Sequence, residues 1–365
     1  MPKNWGKRPW TVDFGAKRVA FPPAVDFAVV GAGFTGLAAA AWLKTHAPEK
    51  SVALFEAKRV GDGSSGHTGG MVLGESAVGD LPGLGDVLAG YREILGKLGV
   101  VGDLSLPGVY ELGRKNPLKN SPIDWKDSGN LQAVKEVPGG SINPGKVVGG
   151  LARAAESVGV LVLENAALDA VRFANGLELR SAAGITKAGG VLFATNAFSL
   201  EQSELRDRAK SAFTTAILTE PLRDETLKQI GLSEGKPFYT VDMPYLWGRL
   251  LGNAVIFGSG LVFMEDWREL NELDIEVGEA NALYVRLEQR IRKLHPVLQN
   301  VNFTHRWGGP ICIAEGWKPV FERHPESENA IVLGAYSGHG VAQSVYLGAW
   351  AAEVLLGKRC LPNWK

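Results

Sequence analysis

The sequence predicts a mixed α/β protein. A Rossmann-like nucleotide-binding domain, assembled from separate segments of the chain, is joined to a second domain built on an antiparallel sheet. Three observations predict this fold. A strand, a glycine-rich turn and a helix follow one another over 25–46, similar patterns recur at 144–196 and 330–357, and alternating apolar runs rich in aromatic residues occupy 213–268. Two inserted blocks therefore interrupt the nucleotide-binding pieces.

These patterns set the expected domain boundaries. We expect an N-terminal arm over 1–24, followed by the first piece of the nucleotide-binding domain. That domain takes the segments 25–75, 140–200 and 322–365, and the second domain takes 76–139 and 201–321.

Charge and composition exclude several classes of protein. Among 365 residues, Lys+Arg and Asp+Glu both number 39, so the chain lacks the net positive charge of a nucleic-acid-binding protein. No apolar stretch is long enough to span a membrane, and the first 24 residues lack the apolar region expected of a signal peptide. The two cysteines, Cys312 and Cys360, form no disulfide or metal-binding pattern, which favours a cytoplasmic protein. A basic excess near the N-terminus predicts a solvated tail; its members are Lys3, Lys7, Arg8, Lys17 and Arg18.

The first element is a βαβ unit. AVV is a short buried strand, GAGFTG is a tight turn, and LAAAAWLKTH is rich in strong helix formers. Pro48 ends the helix, and SVALFE forms a second strand that finishes on a carboxylate.

The later helices and strands are predicted from the same kinds of pattern. Residues 84–99 and 277–294 have helical periodicity, and 101–139 is rich in turns with scattered strands. A helix and a strand follow over 144–164, and a hairpin-like stretch over 168–196 ends in an apolar strand. The final segment is a strand, the turn SGHG and a helix.

The first turn carries a dinucleotide fingerprint. Gly31, Gly33 and Gly36 form G-x-G-x-x-G directly between a strand and a helix, and Glu56 closes the second strand. The helix N-terminus can hold a pyrophosphate while the carboxylate accepts both ribose hydroxyls, which favours NAD or FAD over NADP.

The C-terminal turn favours FAD over NAD. SGHG (337–340) lies at a strand-to-helix junction, where free N–H groups meet the positive end of a helix. Such a terminus suits the pyrimidine edge of a flavin, on which negative charge develops during reduction. No second G-x-G-x-x-G unit for NAD(P)H is present.

Together these residues resemble a known family. GAGFTGLAAA, FEAKRVGDGSSGHTGG, VLFATNA, HRWGGPI and GAYSGHGV are similar to the FAD-dependent D-amino-acid-oxidase-like superfamily, in its glycine, sarcosine and gamma-glutamylputrescine oxidoreductase branch. The arm sequence NWGKRPW resembles that of the putrescine-type members. One departure is Gly316, which stands in AEGWKP (314–319) where the family often has an aspartate.

The resemblance implies a set of FAD-contacting residues. They are Gly31, Gly33, Phe34, Thr35, Gly36, Glu56, Ala57, Lys58, Ser64, Ser65, Gly66, His67, Thr68, Gly69, Gly70, Met71, Ala167, Leu168, Ala194, Thr195, Asn196, Ser337, Gly338, His339, Gly340 and Val341. In the dimethylglycine and sarcosine dehydrogenase branch, a histidine in the register of His67 bonds covalently to the flavin. The putrescine-type branch binds it non-covalently. Both alternatives stay open for His67.

The resemblance also implies a reaction. A small amine or amino acid loses a hydride from the carbon beside nitrogen to flavin N5, the imine hydrolyses, and O2 or another acceptor reoxidises the flavin. Trp307, Tyr239, Tyr245 and Trp247 are candidates for an aromatic pocket. Arg249, Arg306 and Lys318 are candidates for binding a substrate carboxylate. His339 is a candidate beside the flavin edge, and Cys312 is expected to be a small buried side chain.

Two other functions compete with this one. An NAD(P)H-using flavin monooxygenase shares the fingerprint, although such enzymes usually carry a GD-type motif where this chain has GAYSGHG. A flavoprotein that has lost catalysis and serves binding or assembly is the third hypothesis, and Gly316 keeps it open.

Overall fold

The computed structural model describes residues 3–173, 176–243 and 245–364. The parts of the predicted arm, hairpin, second sheet and C-terminal segment that fall on 1–2, 174–175, 244 and 365 lie outside the described residues. The helices are α1 (Phe34–His46), α2 (Ser64–His67), α3 (Val87–Lys97), α4 (Pro144–Ser157), α5 (Asp224–Gln229), α6 (Glu269–Glu272), α7 (Gly278–Leu294) and α8 (Gly340–Leu355).

The strands fall into two large sheets and one small one. They are β1 (Ala24–Val30), β2 (Val52–Phe55), β3 (Met71–Leu73), β4 (Val109–Gly113), β5 (Asp124–Lys126), β6 (Asn130–Val137), β7 (Gly139–Ser141), β8 (Leu161–Leu163), β9 (Leu168–Arg172), β10 (Leu177–Ser181), β11 (Gly184–Phe193), β12 (Ala209–Thr219), β13 (Phe238–Thr240), β14 (Trp247–Leu251), β15 (Ala254–Phe263), β16 (Phe303–Ala314), β17 (Val320–His324) and β18 (Ser327–Gly334).

The first sheet is the predicted nucleotide-binding sheet. Its order is β17-β18-β11-β1-β2-β8, and β1 pairs in parallel with both β11 and β2. The antiparallel β9–β10–β11 hairpins extend it. The central strands are continuous apolar runs because helices cover them, and α1 packs against both α4 and α8. The mixed α/β fold predicted from the sequence is confirmed.

The second sheet has the order β16-β12-β15-β14-β13-β4-β6-β5. Its pairs are antiparallel except for β13 and β4, which run in parallel. It draws its strands from both inserted blocks of the sequence, and α7 packs against β12 and β15. No helix in the described ranges combines the length and the apolar character needed to cross a bilayer.

Strand β16 is a feature that the periodicity does not indicate. It pairs with β12 from Phe303 to Ala314, yet its centre is Gly-Gly-Pro (308–310), a combination that normally argues against a central strand. The glycines are required by close neighbours. A β-carbon on Gly308 would clash with the ring of Phe213, and one on Gly309 would lie 2.7 Å from the β-carbon of His67. The strand therefore passes directly against α2.

Candidate functional site

The fingerprint turn joins β1 to α1 in a geometry that requires glycine. Gly31 has φ 104°, and a β-carbon there would lie 2.7 Å from the carbonyl oxygen of Ala194. A β-carbon on Gly36 would clash with the carbonyl of Gly31. Helix α1 begins after Gly33, whose position carries no side-chain cap, so a bound anion can use the first N–H groups of the helix. This turn fits the diphosphate of a dinucleotide.

Glu56 lies where β2 ends, beside that turn. Its Oε2 accepts the N–H of Ala32 at 2.8 Å, and its Oε1 accepts the N–H of Lys58 at 3.0 Å. Burial raises the pKa of this carboxyl, and the two backbone hydrogen bonds oppose the shift. Each oxygen keeps a lone pair that can accept a ribose hydroxyl.

Helix α2 ties the fingerprint turn to two distant segments. Ser65 Oγ accepts the N–H of Phe34 at 2.9 Å. Ser64 Oγ accepts a hydrogen bond from Asn196 Nδ2 at 3.1 Å, and Asn196 Oδ1 accepts the N–H of Ala335 at 3.0 Å. The three separate nucleotide-binding segments of the sequence therefore meet at α2.

His67 ends α2 and is held from several sides. Its Nδ1 lies 3.0 Å from the carbonyl oxygen of Gly63 and 3.5 Å from Arg8 Nη1, and its ring meets the Trp5 ring edge-on at 5.2 Å. A carbonyl only accepts, so Nδ1 carries the proton of the neutral ring. Burial, reinforced by the Arg8 charge, lowers the pKa of His67 to about 4.

The N-terminal arm is part of this site. The indole Nε1 of Trp5 donates to the carbonyl of Leu270, and that of Trp10 donates to the carbonyl of Gly66, each at 2.8 Å. Arg8 donates to the carbonyl of Gly61 at 3.3 Å, and burial lowers its pKa. The prediction of a solvated tail is wrong for Arg8, because the two neighbouring tryptophans draw the arm into the core. The remaining basic residues of the tail are exposed; they are Lys3, Lys7, Lys17 and Arg18.

The SGHG turn presents a second helix N-terminus. Ser337 and Gly338 have φ 50° and 91°, and His339 precedes α8 without capping it through its side chain. The phenol of Tyr336 shares a 2.8 Å hydrogen bond with Thr35 Oγ1, which fixes the turn against α1. Burial lowers the pKa of His339, although the hydrogen bond to Ser337 and the charge of Glu75 oppose the shift.

One cavity of about 690 Å³ connects these parts. Of the residues predicted to contact FAD, all line it except Gly36, Gly66 and Gly70, which pack behind its wall. Sequence reasoning missed further lining residues from distant elements. They include Trp5, Asp62, Gln202, Thr214, Met243, Leu261, Trp267, Asn271 and Trp317. Nothing local marks these positions, because tertiary contacts alone bring them to the cavity.

An aromatic chamber forms part of the cavity. The candidates Tyr239, Tyr245 and Trp247 line it together with Thr214. The phenol of Tyr245 hydrogen-bonds Thr214 Oγ1 at 2.9 Å, and burial raises the pKa of Tyr245 to about 12. Trp247 packs so closely on Gly69 that a β-carbon there would clash with the indole. The chamber therefore adjoins the segment that leads from α2 to β3.

Of the predicted catalytic side chains, His339 lines the cavity and four others lie outside its wall. Arg249 is 4% exposed, and its Nε donates to the carbonyl of Gly69 at 2.5 Å. Arg306 pairs with Glu288 at 2.7 Å. Lys318 is exposed, and Trp307 is buried with its Nε1 donating to the carbonyl of His67 at 3.0 Å.

Cys312, Gly316 and Lys58 are three further residues singled out in the sequence. Cys312 lines the cavity, and burial raises the pKa of its thiol to about 12, so it stays protonated. Gly316 has φ 68°, which accounts for a glycine at that turn. Lys58, whose Nζ donates to Asn271 Oδ1 at 2.7 Å, is the only lysine or arginine among the described residues that line the cavity.

Comparisons with known proteins agree with this geometry. The model of the family described as FAD dependent oxidoreductase matches residues 26–354. Gamma-glutamylputrescine oxidoreductase of Escherichia coli is 25% identical over 378 residues, which cover 91% of this chain and 84% of that protein. The probable oxidoreductase OrdL of Rhizobium meliloti is also 25% identical and is covered to 83%, again over 91% of this chain.

Solved structures share the fold. L-proline dehydrogenase from P. horikoshii superposes with a TM-score of 0.74 at 17% identity, covering 94% of this chain and 96% of that one. Glycine oxidase from Geobacillus kaustophilus has a TM-score of 0.71 at 18% identity, covering 92% and 96%. At these identities the likeness establishes the fold alone.

Proposed function

Since the chain belongs to the FAD-dependent oxidoreductase family, we propose that it oxidises the carbon–nitrogen bond of a small amine held in the aromatic chamber. The main observation that supports this proposal is the shape of the cavity. It continues without interruption from the fingerprint turn and Glu56, past the SGHG turn, to Tyr245 and Trp247. A cofactor and a small substrate can therefore share one enclosed space.

In this proposal the protein holds FAD by its two helix N-termini and by Glu56. The first turn of α1 faces the diphosphate, Glu56 accepts the ribose hydroxyls, and residues 64–71 and 337–341 face the flavin. Bound FAD supplies a hydride acceptor for the carbon next to the substrate nitrogen. The exposed N–H groups at the start of α8 favour negative charge near them.

The chamber residues prepare the amine for that transfer. An amine must lose its proton before its neighbouring carbon can give up a hydride, and a low-dielectric aromatic wall favours the neutral form. Tyr239, Tyr245 and Trp247 supply such a wall. The lowered pKa of His339 keeps its imidazole neutral near neutral pH, so it can orient a substrate by hydrogen bonding without repelling it.

The chamber favours amines without a carboxylate next to the reacting nitrogen. A carboxylate is usually bound by an arginine, and Arg249, Arg306 and Lys318 all lie outside the described cavity wall. The names of the related proteins cover both classes, since one acts on gamma-glutamylputrescine and others on glycine and L-proline. We propose that this chain acts on amines of the first class, which lack such a carboxylate. A cytoplasmic location is part of the proposal, supported by two cysteines that remain unpaired.

The test is anaerobic reduction of the FAD-loaded protein by a panel of primary and secondary amines and amino acids. We expect an amine to bleach the flavin absorbance at about 450 nm and an oxygen pulse to restore it with release of peroxide. Bleaching by NADPH alone would instead indicate a monooxygenase. A fully FAD-loaded protein that no amine or amino acid bleaches would overturn the proposal and favour a binding role.

A further inference from the structure

A β-bulge lies in the second sheet beside the aromatic chamber. Two consecutive residues of β12, Thr214 and Thr215, pair with residues of β15 on either side of Gly260, so Gly260 has no partner in the ladder. Gly260 has φ 80°, a conformation that glycine adopts without strain. Its carbonyl oxygen accepts the phenol of Tyr245 at 2.7 Å. The bulge therefore supplies the acceptor that fixes the direction of this phenol.

The direction of the Tyr245 phenol in turn fixes that of the Thr214 hydroxyl. A phenol has one hydrogen and a carbonyl oxygen can only accept, so the hydrogen of Tyr245 is committed to Gly260. Thr214 Oγ1 lies 2.9 Å from the Tyr245 oxygen and must donate its own hydrogen there. Burial raises the pKa of Tyr245 to about 12, so the phenol stays protonated near neutral pH. Both lone pairs of Thr214 Oγ1 are therefore left to accept hydrogen bonds.

This acceptor belongs to the cavity wall. Thr214 and Tyr245 both line the cavity. On its other side β12 pairs with β16, where Thr214 opposes Gly309, and a β-carbon on Gly309 would lie 2.7 Å from the β-carbon of His67 in α2. In the proposed function, α2 is part of the segment that faces the flavin. The acceptor therefore lies one strand away from that segment.

The other phenol of the chamber has no hydrogen to offer either. The single hydrogen of Tyr239 goes to one of two carboxylates, Glu75 Oε1 at 2.8 Å or Glu111 Oε1 at 2.9 Å. The hydroxyls of Thr214, Tyr239 and Tyr245 thus have no hydrogen left for a ligand. A ligand in the chamber matches them only if it brings a hydrogen-bond donor of its own.

We propose that Thr214 determines specificity by accepting a hydrogen bond from an N–H group on the nitrogen beside the oxidised carbon. The substrates are then primary and secondary amines, and tertiary amines are excluded because their neutral form has no N–H. This inference rests on the proposed function, since it narrows the substrate class of the same cavity.

An acceptor at this place suits the electron movement of amine oxidation. The carbon gives up a hydride, which takes both electrons of the C–H bond to the flavin, and the nitrogen lone pair becomes the second bond of the C=N group. A hydrogen-bond donor would occupy that lone pair, whereas an acceptor leaves it free. The nitrogen becomes positive as the hydride leaves, so the N–H bond to Thr214 Oγ1 is stronger in the transition state than in the bound neutral amine.

The test compares two isomeric amines on the FAD-loaded full chain. Both carry the alkyl group of the best acyclic amine of the panel, one with an N-ethyl group and the other with two N-methyl groups. They have the same atoms and similar bulk, but only the N-ethyl isomer keeps an N–H when it is neutral. We expect the limiting rate of anaerobic flavin reduction to be at least about tenfold higher for the N-ethyl isomer. Their apparent dissociation constants should agree within about threefold, because a protonated tertiary amine still has one N–H to donate.

Variants then assign the difference to Thr214. In Thr214→Val, which keeps the shape and removes the acceptor, the ratio of the two reduction rates should fall to about one. Thr214→Ser keeps the hydroxyl and should keep the preference. Tyr245→Phe frees the Thr214 hydrogen to bind a tertiary nitrogen, so its ratio should fall although Thr214 is intact. Thr304→Val, an exposed position of β16 outside this cavity, should keep the wild-type ratio.

The possible results separate the two proposals. FAD absorbance per chain first verifies that each variant is folded and loaded. If no amine of the panel bleaches the flavin, the proposed function itself fails. If amines are oxidised but the N,N-dimethyl isomer reduces the flavin as fast as the N-ethyl isomer, amine oxidation stands and the role of Thr214 is overturned. An unchanged ratio in Thr214→Val overturns it as well, and if that variant does not load FAD, an unchanged ratio in Tyr245→Phe does so.

Discussion

The indole Nε1 of Trp10 donates a 2.8 Å hydrogen bond to the carbonyl oxygen of Gly66, and so joins the N-terminal arm to the helix that faces the cavity. Gly66 lies between Ser65 and His67, which both line that cavity. The arm therefore positions α2, although most residues of the arm lie outside the cavity.

Replacing Trp10 with phenylalanine should weaken FAD binding about twofold to tenfold. The variant keeps an aromatic ring but leaves the Gly66 carbonyl without its donor, and such a hydrogen bond contributes about 0.5–1.5 kcal/mol. Titration of the apoprotein with FAD, followed by flavin fluorescence, measures the dissociation constant. Trp125→Phe is the matched control, because it removes a 3.0 Å indole bond to the carbonyl of Ile230 in the second sheet. The control should lower stability and leave FAD affinity unchanged; equal effects of the two variants would argue against a role of the arm.

Alanine at Gly69 should reduce the rate of flavin reduction by the best amine at least about tenfold. Its β-carbon would meet the indole of Trp247, which also packs on Gly258 and has little room to retreat. Rapid-mixing absorbance measurements give the rate. Gly15→Ala is the control, since no atom lies within 4 Å of the added β-carbon. Adding Trp247→Leu to Gly69→Ala should restore part of the rate of flavin reduction if the clash is the cause, and failure to do so would point to another defect.

Glutamine at Arg306 or Lys318 should leave KM for every oxidised amine within about twofold of wild type. Arg306 is engaged with Glu288, and Lys318 donates to the carbonyl of Trp364, so neither side chain reaches the cavity. An ion pair as exposed as that of Arg306 contributes about 0–1 kcal/mol. Steady-state kinetics over the amine panel measures KM. A large selective rise in KM for a carboxylate-bearing substrate would reinstate these residues as its ligands.

His67 should make the folded protein lose stability as the pH falls. Burial lowers its pKa to about 4 from the ordinary histidine value of 6.5, so between these values the unfolded chain binds more protons than the folded one. Stability is therefore fully present above pH 6.5 and declines by at most about 3 kcal/mol as the pH falls toward 4. Urea unfolding at several pH values measures this dependence. The dependence should be weaker in His67→Gln; an identical pH profile would show that other groups are responsible.

FAD should leave the protein on acid denaturation. The Nδ1–H of His67 donates to the carbonyl of Gly63, and the Trp5 ring meets the imidazole edge-on. A flavin bond at Nδ1 would require the loss of this hydrogen bond. Precipitation in acid followed by absorbance of the supernatant measures release. Yellow colour that stays with the pellet in wild type and disappears in His67→Gln would contradict the expectation and show a covalent link through His67.

The local parts of the site could be predicted from the sequence. The fingerprint turn and Glu56 depend on residues within one βαβ unit, and their spacing fixes their positions. The SGHG turn is likewise set by a strand and a helix that adjoin it. For such elements, sequence neighbours are also neighbours in space.

The rest depends on contacts between distant segments. Glu111 and Tyr239 are 128 residues apart and meet because β13 pairs with β4. Trp5 lines the cavity because the arm folds back onto α2. Strand β16 cannot be recognised from local periodicity because it contains Gly308, Gly309 and Pro310. These residues fit a strand at this place only because of neighbours from distant parts of the chain.

The position of α8 in the sequence determines when the cavity wall can be completed during synthesis. The parallel strand β18 pairs with β11, and the SGHG turn that lines the cavity comes after it, between Ser337 and Gly340. A nascent chain that has exposed the fingerprint turn, Glu56 and the arm still lacks this wall. This part of the cavity wall can therefore form only after α8 has been synthesised and has packed against α1.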